Sequence, residues 1–212
     1  MTRRLPLARF IIAEQDQDGK QFNRGAILNA AFQKIFQSTN ASDAVIFHDV
    51  DLLPDDIALR NYCIELKSNR VRHIGRLWKR YDSETYLGGV LMMLCRDFVK
   101  INGYPNNYWG WGGEDDELRK RILHHHITIT APKQGSLSDL ENLSLTEKLS
   151  KLKHNKSKCM TKWENNAEYD EMRKRHPRAL LSGLKHVHYT SQYKTLHEYN
   201  NVDWFTIHLQ RQ

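Results

Sequence analysis

The residues best suited to chemistry are four consecutive acidic residues, Glu114-Asp-Asp-Glu117, directly after the segment Trp109-Gly-Trp-Gly-Gly113. A carboxylate can take up a proton as a general base or ligate a hard cation. The tryptophans can stack on a ligand, and the glycines let the backbone turn or approach that ligand closely. An acidic run at a helix start is also favoured by the helix dipole alone, but a helix N-terminus requires no tryptophan. The combined pattern therefore indicates a ligand-binding loop that leads into acidic groups.

A second acidic pair, Asp49 and Asp51, follows the apolar segment Ala44-Val-Ile-Phe47. That segment predicts a buried strand. Ligands gather at the carboxyl ends of strands in open α/β sheets, and carboxylate oxygens there suit a divalent cation. The position of this pair therefore predicts a metal ion and its ligand at the end of the strand.

The elements that must position these groups are predicted from hydrophobic periodicity. Apolar runs predict strands over 9–14, 44–47, 71–78, 86–94, 127–130, 182–189 and 202–209. Helical spacing of apolar residues predicts helices over 22–36, 56–67, 96–101 and 115–123. Asn23 and Arg24 would then lie at a helix N-terminus, where backbone donors favour an anion. The alternation of strands and helices predicts an α/β fold.

The length of 212 residues suits one domain, and we expect residues 1–212 to form it. Residues 133–178 are polar and lysine-rich, which predicts a partly mobile loop region with one or two surface helices. The three cysteines lack paired spacing, so a zinc site or disulfide framework is not expected. We interpret His124-His-His126 as a polar junction, because neighbouring side chains in an extended segment point to opposite faces.

The formal charge of +7 allows an anionic partner. The basic residues are dispersed and no RNA-binding signature accompanies them, so a phosphate-bearing small molecule is favoured over nucleic acid. The mean hydropathy is −0.69, and no apolar run is long enough for a membrane span. As written, the sequence also has no convincing signal peptide, which predicts a cytoplasmic protein without a membrane anchor.

Taken in order, the motifs closely resemble those of the β-1,4-galactosyltransferases. The resemblance covers residues 9–130 strongly and 180–209 more weakly. It implies a GT-A-like, Rossmann-like mixed sheet flanked by helices, and an inverting, Mn²⁺-assisted transfer of galactose from UDP-galactose. The acceptor would be a terminal N-acetylglucosamine, glucose or xylose joined in a β-1,4 linkage. The matching segments are Phe22-Asn-Arg24, Asp49-Val-Asp51, Tyr86-Leu-Gly-Gly89 and Asn102-Gly-Tyr-Pro-Asn-Asn-Tyr-Trp-Gly-Trp-Gly-Gly-Glu-Asp-Asp116.

The resemblance also implies roles for individual residues. Asp115 would be the catalytic base, and Tyr86 matches a position that influences the choice between galactose and its N-acetyl analogue as donor sugar. Asp51 and His154 would ligate the metal. The acceptor would contact Gly113, Glu114 and Asp116. The donor would contact Phe22, Arg24, Asp49, Val50, Tyr86 and Trp111, with Trp111 on a mobile lid.

The sequence departs from the family pattern in three ways. The family carries a further nucleotide-binding strand before the segment 9–14, so this chain is expected to be a shortened member. Lys151 stands where a metal-binding methionine is expected before His154, which leaves His186 or His188 as alternative ligands. Cys63 matches a disulfide-bonded cysteine whose partner position is Ala44, and the family is typically Golgi lumenal. The alternative function is a catalytically impaired homologue that binds a sugar or nucleotide.

Overall fold

The computed structural model describes residues 4–5, 7–79, 83–154, 182–194 and 201–210, without the side chains of residues 145, 149 and 152–154. Strands and helices alternate along this part of the chain. The strands are β1 (Phe10–Gln15), β2 (Ala44–His48), β3 (Leu52–Pro54), β4 (Arg70–His73), β5 (Val90–Leu94), β6 (Thr128–Thr130), β7 (Leu137–Asp139), β8 (Tyr189–Lys194) and β9 (Val202–Leu209). The helices are α1 (Arg24–Phe36), α2 (Asp56–Arg60), α3 (Cys95–Lys100), α4 (Glu114–His124) and α5 (Leu145–His154).

The strands pair into two mixed sheets and a short ribbon. One sheet has the order β1-β9-β8, with β1 parallel and β8 antiparallel to β9. The second has the order β2-β5-β4-β6, in which β2 and β4 are antiparallel to β5, and β6 is parallel to β4. The ribbon pairs β3 with β7. The α/β fold with mixed pairing and flanking helices is confirmed, but its strands are divided between separate sheets.

Helix α1 packs against both mixed sheets. Its residues Ala26 and Ile27 belong to an apolar cluster with Ile207 of β9. On another side of the helix, Phe32 packs on Phe98, with ring centroids 4.7 Å apart, in a cluster that includes Phe47 of β2. Burying a side chain as large as Phe32 stabilises the fold by about 1.5–3 kcal/mol. Helix α1 therefore fixes the position of its own N-terminus relative to the end of β2.

Three predicted elements are shorter than expected. The helix predicted over 56–67 ends at Arg60 and continues as a 3-10 turn at Asn61–Cys63. The strand predicted over 71–78 ends at His73, and the strand predicted over 86–94 begins only at Val90. The strand predicted over 86–94 begins late because Gly89 has a φ of 79°, which is incompatible with regular strand geometry.

The strand predicted over 182–189 is wrong. That segment forms a 3-10 turn at Leu184–His186, and β8 begins at Tyr189. The backbone N–H groups of Leu184 and Lys185 donate to the carbonyl and side-chain oxygens of Asn102. These bonds satisfy the two N–H groups without a neighbouring strand. The prediction for 202–209 is confirmed by β9.

The part of the region 133–178 that the structure describes is more ordered than predicted. It contains β7, which was not predicted, and the predicted surface helix, α5. Residues 155–178 lie outside the described residues, as does Cys159. Cys63 and Cys95 are free thiols. None of the helices in the described part of the chain combines the length and apolar character needed to cross a membrane.

Candidate active site

Arg24, the first residue of α1, is held in place by its two neighbours in the chain. The side chain of Asn23 accepts from the N–H of Ala26 at 2.9 Å and donates to the carbonyl of Asn106 at 2.6 Å. Gly25 packs so tightly that a Cβ atom there would lie 2.5 Å from the carbonyl oxygen of Pro105. The start of α1 is therefore fixed to the 105–106 loop, and the direction of the Arg24 side chain is fixed with it.

The guanidinium of Arg24 joins two acidic segments. Its Nε and Nη2 atoms lie 2.9 and 2.8 Å from Oδ1 of Asp49, at the end of β2. Its Nη1 atom lies 2.9 Å from Oδ1 of Asp115 and 3.7 Å from Oε1 of Glu114, in the first turn of α4. The side chains of Arg24, Asp115 and Glu114 are only 18%, 15% and 10% exposed. We call these four residues the Arg24 cluster.

The surroundings of Asp115 and Glu114 favour proton uptake by these two carboxyl groups of the Arg24 cluster. Burial raises the pKa of Asp115 well above its ordinary value, and Arg24 opposes this effect only in part, because Glu114, Asp49 and Asp116 raise the pKa further. Burial also raises the pKa of Glu114. A carboxylate with raised proton affinity is a stronger base, so Asp115 has the character of a general base.

The second oxygen of Asp115 faces the segment that begins at Tyr86. A Cβ atom on Gly88 would lie 2.4 Å from Oδ2 of Asp115 and 2.1 Å from the hydroxyl of Tyr86. The buried His73 donates through Nε2 to the carbonyl of Gly88 at 2.9 Å, because a carbonyl can only accept. Burial lowers the pKa of His73 to about 4, so its imidazole is neutral at pH 7. No sequence signal predicted this contact of His73, because the residue lies in a segment of mixed polarity.

The segment Trp109–Gly113, which we call the tryptophan loop, leads directly into Glu114 of the Arg24 cluster. The conformation of this loop depends on its glycines. Gly110 and Gly112 have φ values of 99° and 102°, a region that residues with a side chain rarely adopt. Trp111, between them, is half-buried. The N–H of Gly110 donates to the carbonyl of Phe22 at 2.8 Å, and the Phe22 side chain is 53% exposed. The loop is therefore attached to Phe22, two residues before the start of α1, and both the loop and Phe22 present aromatic surface.

The turn that carries Asp49 and Asp51 is fixed by His48. Its Nδ1 atom lies 2.7 Å from the carbonyl oxygen of Asp49 and its Nε2 atom 2.8 Å from the hydroxyl of Tyr62. Because the carbonyl can only accept, Nδ1 carries the proton and Nε2 accepts from the tyrosine. Val50, at the tip of the turn, is 93% exposed. The two hydrogen bonds of His48 thus fix the turn that carries both aspartates, and Val50 is left in solvent.

A group of acidic residues that could hold a metal ion lies next to this turn. Asp51, Asp139 and Glu141 each offer a carboxylate oxygen, and these atoms lie within 4.8 Å of one another. The N–H of Leu140 donates to the carbonyl of Asp51 at 2.7 Å, which ties the segment after β7 to the turn. Lys148 contacts Glu141 at 2.7 Å. Carboxylate oxygens are suitable ligands for Mn²⁺, so the donor set fits that ion.

The structure brings some of the predicted site residues together and leaves others apart. Arg24, Asp49, Glu114 and Asp115 form one cluster, with Asp116 close enough to affect the pKa of Asp115. Gly113, which is buried, precedes the first residue of α4. The side chain of His154 lies outside the described residues. The alternative ligands His186 and His188 line a cleft of about 270 Å³ together with Trp109, Asn106, Ser182 and Gln210.

Comparisons with known proteins identify relatives of this chain. A family model described as the N-terminal region of glycosyl transferase group 7 matches residues 2–64, and one described as the N-terminal domain of galactosyltransferase matches residues 69–149. Mouse β-1,4-galactosyltransferase 4 is 39% identical over 114 residues, which are 54% of this chain and 33% of the mouse protein. Rat β-1,4-galactosyltransferase 6 is 38% identical over 138 residues, or 64% of this chain and 34% of the rat protein. The chain thus spans about a third of the length of these curated relatives.

Solved structures extend the similarity to the whole chain. A mutant of Drosophila β-1,4-galactosyltransferase 7 in complex with manganese, UDP-Gal and xylobiose has a TM-score of 0.75 and 26% sequence identity. The match covers 100% of this chain and 84% of that one. The catalytic domain of the same Drosophila enzyme with xylobiose has a TM-score of 0.70, with the same coverage and identity. These similarities confirm the GT-A-like fold.

Proposed function

The chain belongs to the β-1,4-galactosyltransferase family, and from this premise we propose that it transfers galactose, with inversion, from UDP-galactose to a hydroxyl group of a terminal sugar. The observation that carries the proposal is Asp115, a buried carboxylate of raised pKa beside the tryptophan loop. The Drosophila relative in complex with UDP-Gal and xylobiose supports a nucleotide sugar as donor and a glycan as acceptor. N-acetylglucosamine, glucose and xylose are the acceptor sugars to be compared.

In the proposed reaction, Asp115 takes the proton of the acceptor hydroxyl. The hydroxyl oxygen then bonds to the anomeric carbon of galactose from the side opposite the bond to UDP, which breaks, so the configuration inverts. One carboxylate oxygen of Asp115 is engaged by Arg24, which leaves Oδ2, on the side of Tyr86, for the acceptor. Gly113, Glu114 and Asp116 would hold the acceptor sugar. Phe22, Asp49, Val50, Tyr86 and Trp111 would contact the donor.

The carboxylates of Asp51, Asp139 and Glu141 would hold Mn²⁺. The bound ion supplies positive charge that stabilises the departing diphosphate. His154 remains the predicted nitrogen ligand. Within the chain itself, Asp51 is buried in part, and this burial and the nearby Asp49 raise its pKa, so an added cation would relieve repulsion between the two aspartates.

The ligand set can be tested by calorimetric titration with Mn²⁺ alone. Asp51→Asn should weaken binding, because a neutral amide is a poorer ligand for a hard cation than a carboxylate. Asp139→Asn should weaken it as well if the carboxylate group holds the ion. Unchanged affinity in Asp139→Asn, together with lost affinity in His154→Ala, would replace the acidic group by the pair Asp51 and His154.

The function itself is tested by incubating the full chain with radiolabelled UDP-galactose, Mn²⁺ and a panel of N-acetylglucosamine, glucose and xylosides. We expect label to appear in at least one acceptor sugar, with equimolar release of UDP. A protein that binds UDP by calorimetry but labels none of the acceptors would instead be a sugar- or nucleotide-binding homologue.

A further inference from the structure

The cleft of about 270 Å³ that His186 and His188 line has no part in the reaction proposed above. Its walls come from the first turn of α1, the segment 106–109, the segment 182–188 and the end of β9. Trp109, the first residue of the tryptophan loop, belongs to the lining, so the cleft adjoins the candidate active site. Its volume lies just below the range of about 300–1,000 Å³ that is typical of sites for drug-sized ligands, so the cleft suits a smaller molecule.

The lining of the cleft is polar but contains no acidic residue, lysine or arginine. Among the residues that the structure describes, the lining is made of Ala, Val, Leu, Trp, Asn, Ser, Gln and His side chains. This composition contrasts with that of the whole chain, in which 27% of the residues are Asp, Glu, Lys or Arg. A carboxylate or ammonium group of a ligand would give up water without gaining an ion pair to such a residue, which is costly. The cleft therefore favours a neutral ligand.

The lining combines an aromatic face with groups that both donate and accept hydrogen bonds. Asn107 and Gln210 carry carboxamides, each with an acceptor oxygen and a donor NH₂ group. His186 and His188 add imidazoles, which in the neutral form have one donor and one acceptor nitrogen. Trp109 is half-buried and supplies a broad apolar surface. A pyranose sugar has the complementary surface, because its C–H groups form an apolar face and its hydroxyl groups both donate and accept.

The cleft is formed before any ligand binds, because hydrogen bonds connect its walls. The side chain of Asn106 donates to the carbonyl of Gly183 at 2.8 Å, and the N–H of Asn106 donates to the hydroxyl of Ser182 at 3.3 Å. On the opposite wall, the N–H of Gln210 donates to the carbonyl of His188 at 3.0 Å. A preformed site loses little affinity to the ordering of its own groups.

We propose that this cleft binds one neutral pyranose residue, with a C–H face of the sugar on Trp109 and its hydroxyl groups bonded to Asn107 and the two histidines. The site is separate from the acceptor contacts of the proposed reaction. Its sugar comes from a further residue of the acceptor glycan or from a separate glycan, and the chemistry recognised is the same in both cases. Sugar binding does not depend on the proposed function, whereas its assignment to the acceptor glycan rests on that function.

Binding is measured without donor or metal, from the indole N–H signals in the proton–nitrogen NMR spectrum of the full chain. The chain has five tryptophans, and Trp109→Phe identifies the signal of Trp109. The probes are the methyl glycosides of N-acetylglucosamine, glucose, galactose and xylose. We expect at least one probe to shift the Trp109 signal, with a dissociation constant on the order of 1 mM, because a ligand this small makes few contacts. Failure of every probe to shift this signal would overturn the proposal.

Two variants separate a sugar in the cleft from a sugar in the candidate active site. Asn107→Ala removes a hydrogen-bonding group at an exposed position and should weaken the binding seen at Trp109 by about fivefold. Asp116→Asn removes a proposed acceptor contact and should leave that binding unchanged. The reverse pattern would mean that the Trp109 signal reports a sugar in the active site, and would overturn the proposal.

A second pair of variants tests the histidines. His188→Ala should weaken sugar binding by about fivefold, and His124→Ala is its matched control, since His124 is equally classed as exposed but lies at the end of α4, outside the cleft. Equal weakening in the two variants, or full binding in both His188→Ala and Asn107→Ala, would contradict the proposed contacts and overturn the proposal.

Glucose 6-phosphate and Mn²⁺ test two other ligands that histidines can bind. Glucose 6-phosphate should shift the Trp109 signal with lower affinity than glucose, whereas a higher affinity would make the cleft an anion site. Calorimetric titration with Mn²⁺ should give the same affinity for His186→Ala as for the wild type. A loss of Mn²⁺ affinity in this variant would make the cleft the metal site, and either result would overturn the proposal.

The source of the sugar is determined from the length of the acceptor. For a further residue of the acceptor glycan, the ratio of kcat/KM for a disaccharide or trisaccharide acceptor to that for the monosaccharide should fall about fivefold in Asn107→Ala and remain constant in His124→Ala. A constant ratio in Asn107→Ala, with weakened binding in the NMR titration, assigns the cleft to a separate glycan and still supports the sugar site. Absence of transfer by the wild-type protein refutes the proposed function, and the NMR titrations then decide the sugar site alone.

Discussion

Two arginines, Arg24 beside the first turn of helix α4 and Arg121 within the second half of the helix, differ in the charge balance of their surroundings. Arg121, in the last part of the helix, lies 3.4 Å from Glu117. It also donates to the carbonyls of Gly103 and Ser182 at 3.0 and 2.7 Å. Arg24, at the first turn, is shared by the three carboxylates of Asp49, Glu114 and Asp115. The surroundings of Arg121 couple a cation to one anion and neutral acceptors, whereas the carboxylates around Arg24 outnumber the cation.

This difference separates the contacts that stabilise α4 in the fold from those that are suited to catalysis. Neutral backbone acceptors around Arg121 fasten the helix to the 102–103 turn and to Ser182 at little electrostatic cost. Burial, and after it the crowded carboxylates around Arg24, raise the pKa of Asp115, which destabilises the ionised folded state. Perturbed acids of this kind cluster at functional sites, where stability is sacrificed for reactivity. This contrast supports the proposal that the residues around Arg24 serve catalysis, whereas the contacts of Arg121 anchor the helix.

The largest expected effect is on turnover in Asp115→Asn. The amide keeps the shape of the side chain but cannot act as a base, so the transfer rate should fall by about 10²–10⁴-fold. Stability at pH 7 should not fall, because one of the crowded carboxylates is removed. Initial rates and urea unfolding of the same preparation measure both quantities. A marked loss of stability together with the loss of rate would place Asp115 in the same class as Glu117.

Gly88→Ala should disturb the Arg24 cluster without altering its charges. The added methyl would meet Oδ2 of Asp115 and the hydroxyl of Tyr86, at 2.4 and 2.1 Å in the unrelaxed structure. Displacing the base in this way should reduce the transfer rate by about 10²-fold. Gly19→Ala is the control, since a Cβ atom there meets nothing within 4 Å. Gly19 has a φ of 78°, so the control should lose about 1–2 kcal/mol of stability but little activity.

Glu117→Gln tests the surroundings of Arg121, because Glu117 is the acidic partner of that arginine. Glu117 is buried and pairs with Arg121, so weakening the pair should lower the free energy of unfolding by about 1–3 kcal/mol. The transfer rate per folded molecule should be unchanged. Urea unfolding curves and rates normalised to the folded fraction are the measurements. A Glu117→Gln protein with full stability and lost activity would contradict this division between the surroundings of Arg121 and those of Arg24.

The smallest effect concerns the pH dependence of stability. The folded-state pKa of Asp115 is raised above its unfolded value, so the folded protein binds this proton more tightly than the unfolded chain. Stability from this group is therefore present below the unfolded pKa, near 4, and is lost as the pH rises toward the folded pKa. Urea unfolding at a series of pH values should show a shallower decline in Asp115→Asn than in the wild type. Parallel curves would mean that Asp115 is not perturbed.

Local sequence signals predicted individual residues of the candidate site better than the long-range contacts between them. Asp49 and Asp51 could be found because an apolar run marks the strand before them. The tryptophan loop could be found because alternating glycines and tryptophans before an acidic run are unusual in a purely structural segment. Asp139 and Glu141 could not be found, because β7 is only three residues long and pairs with β3 across more than 80 positions of sequence. Such a ribbon has no periodic pattern to recognise.

The role of Arg24 illustrates the same limit in a different way. Its place at a helix N-terminus was predicted correctly from the apolar spacing of α1. Sequence reasoning then favoured an anionic ligand there, since a helix start attracts negative charge. The structure supplies that negative charge from within the chain, through Asp49 and Asp115. Which anion occupies such a site depends on tertiary contacts between segments 25 and 91 residues away, and local sequence does not encode these contacts.

Proton NMR of the products formed from UDP-galactose, Mn²⁺ and the acceptor panel shows whether this chain transfers galactose with inversion. We expect the wild-type protein to form a new β-linked galactoside on one of the acceptors, in step with UDP release. An α-linked product would contradict the inverting mechanism. Tight binding of UDP without any galactoside, on every acceptor tested, would contradict the claim itself.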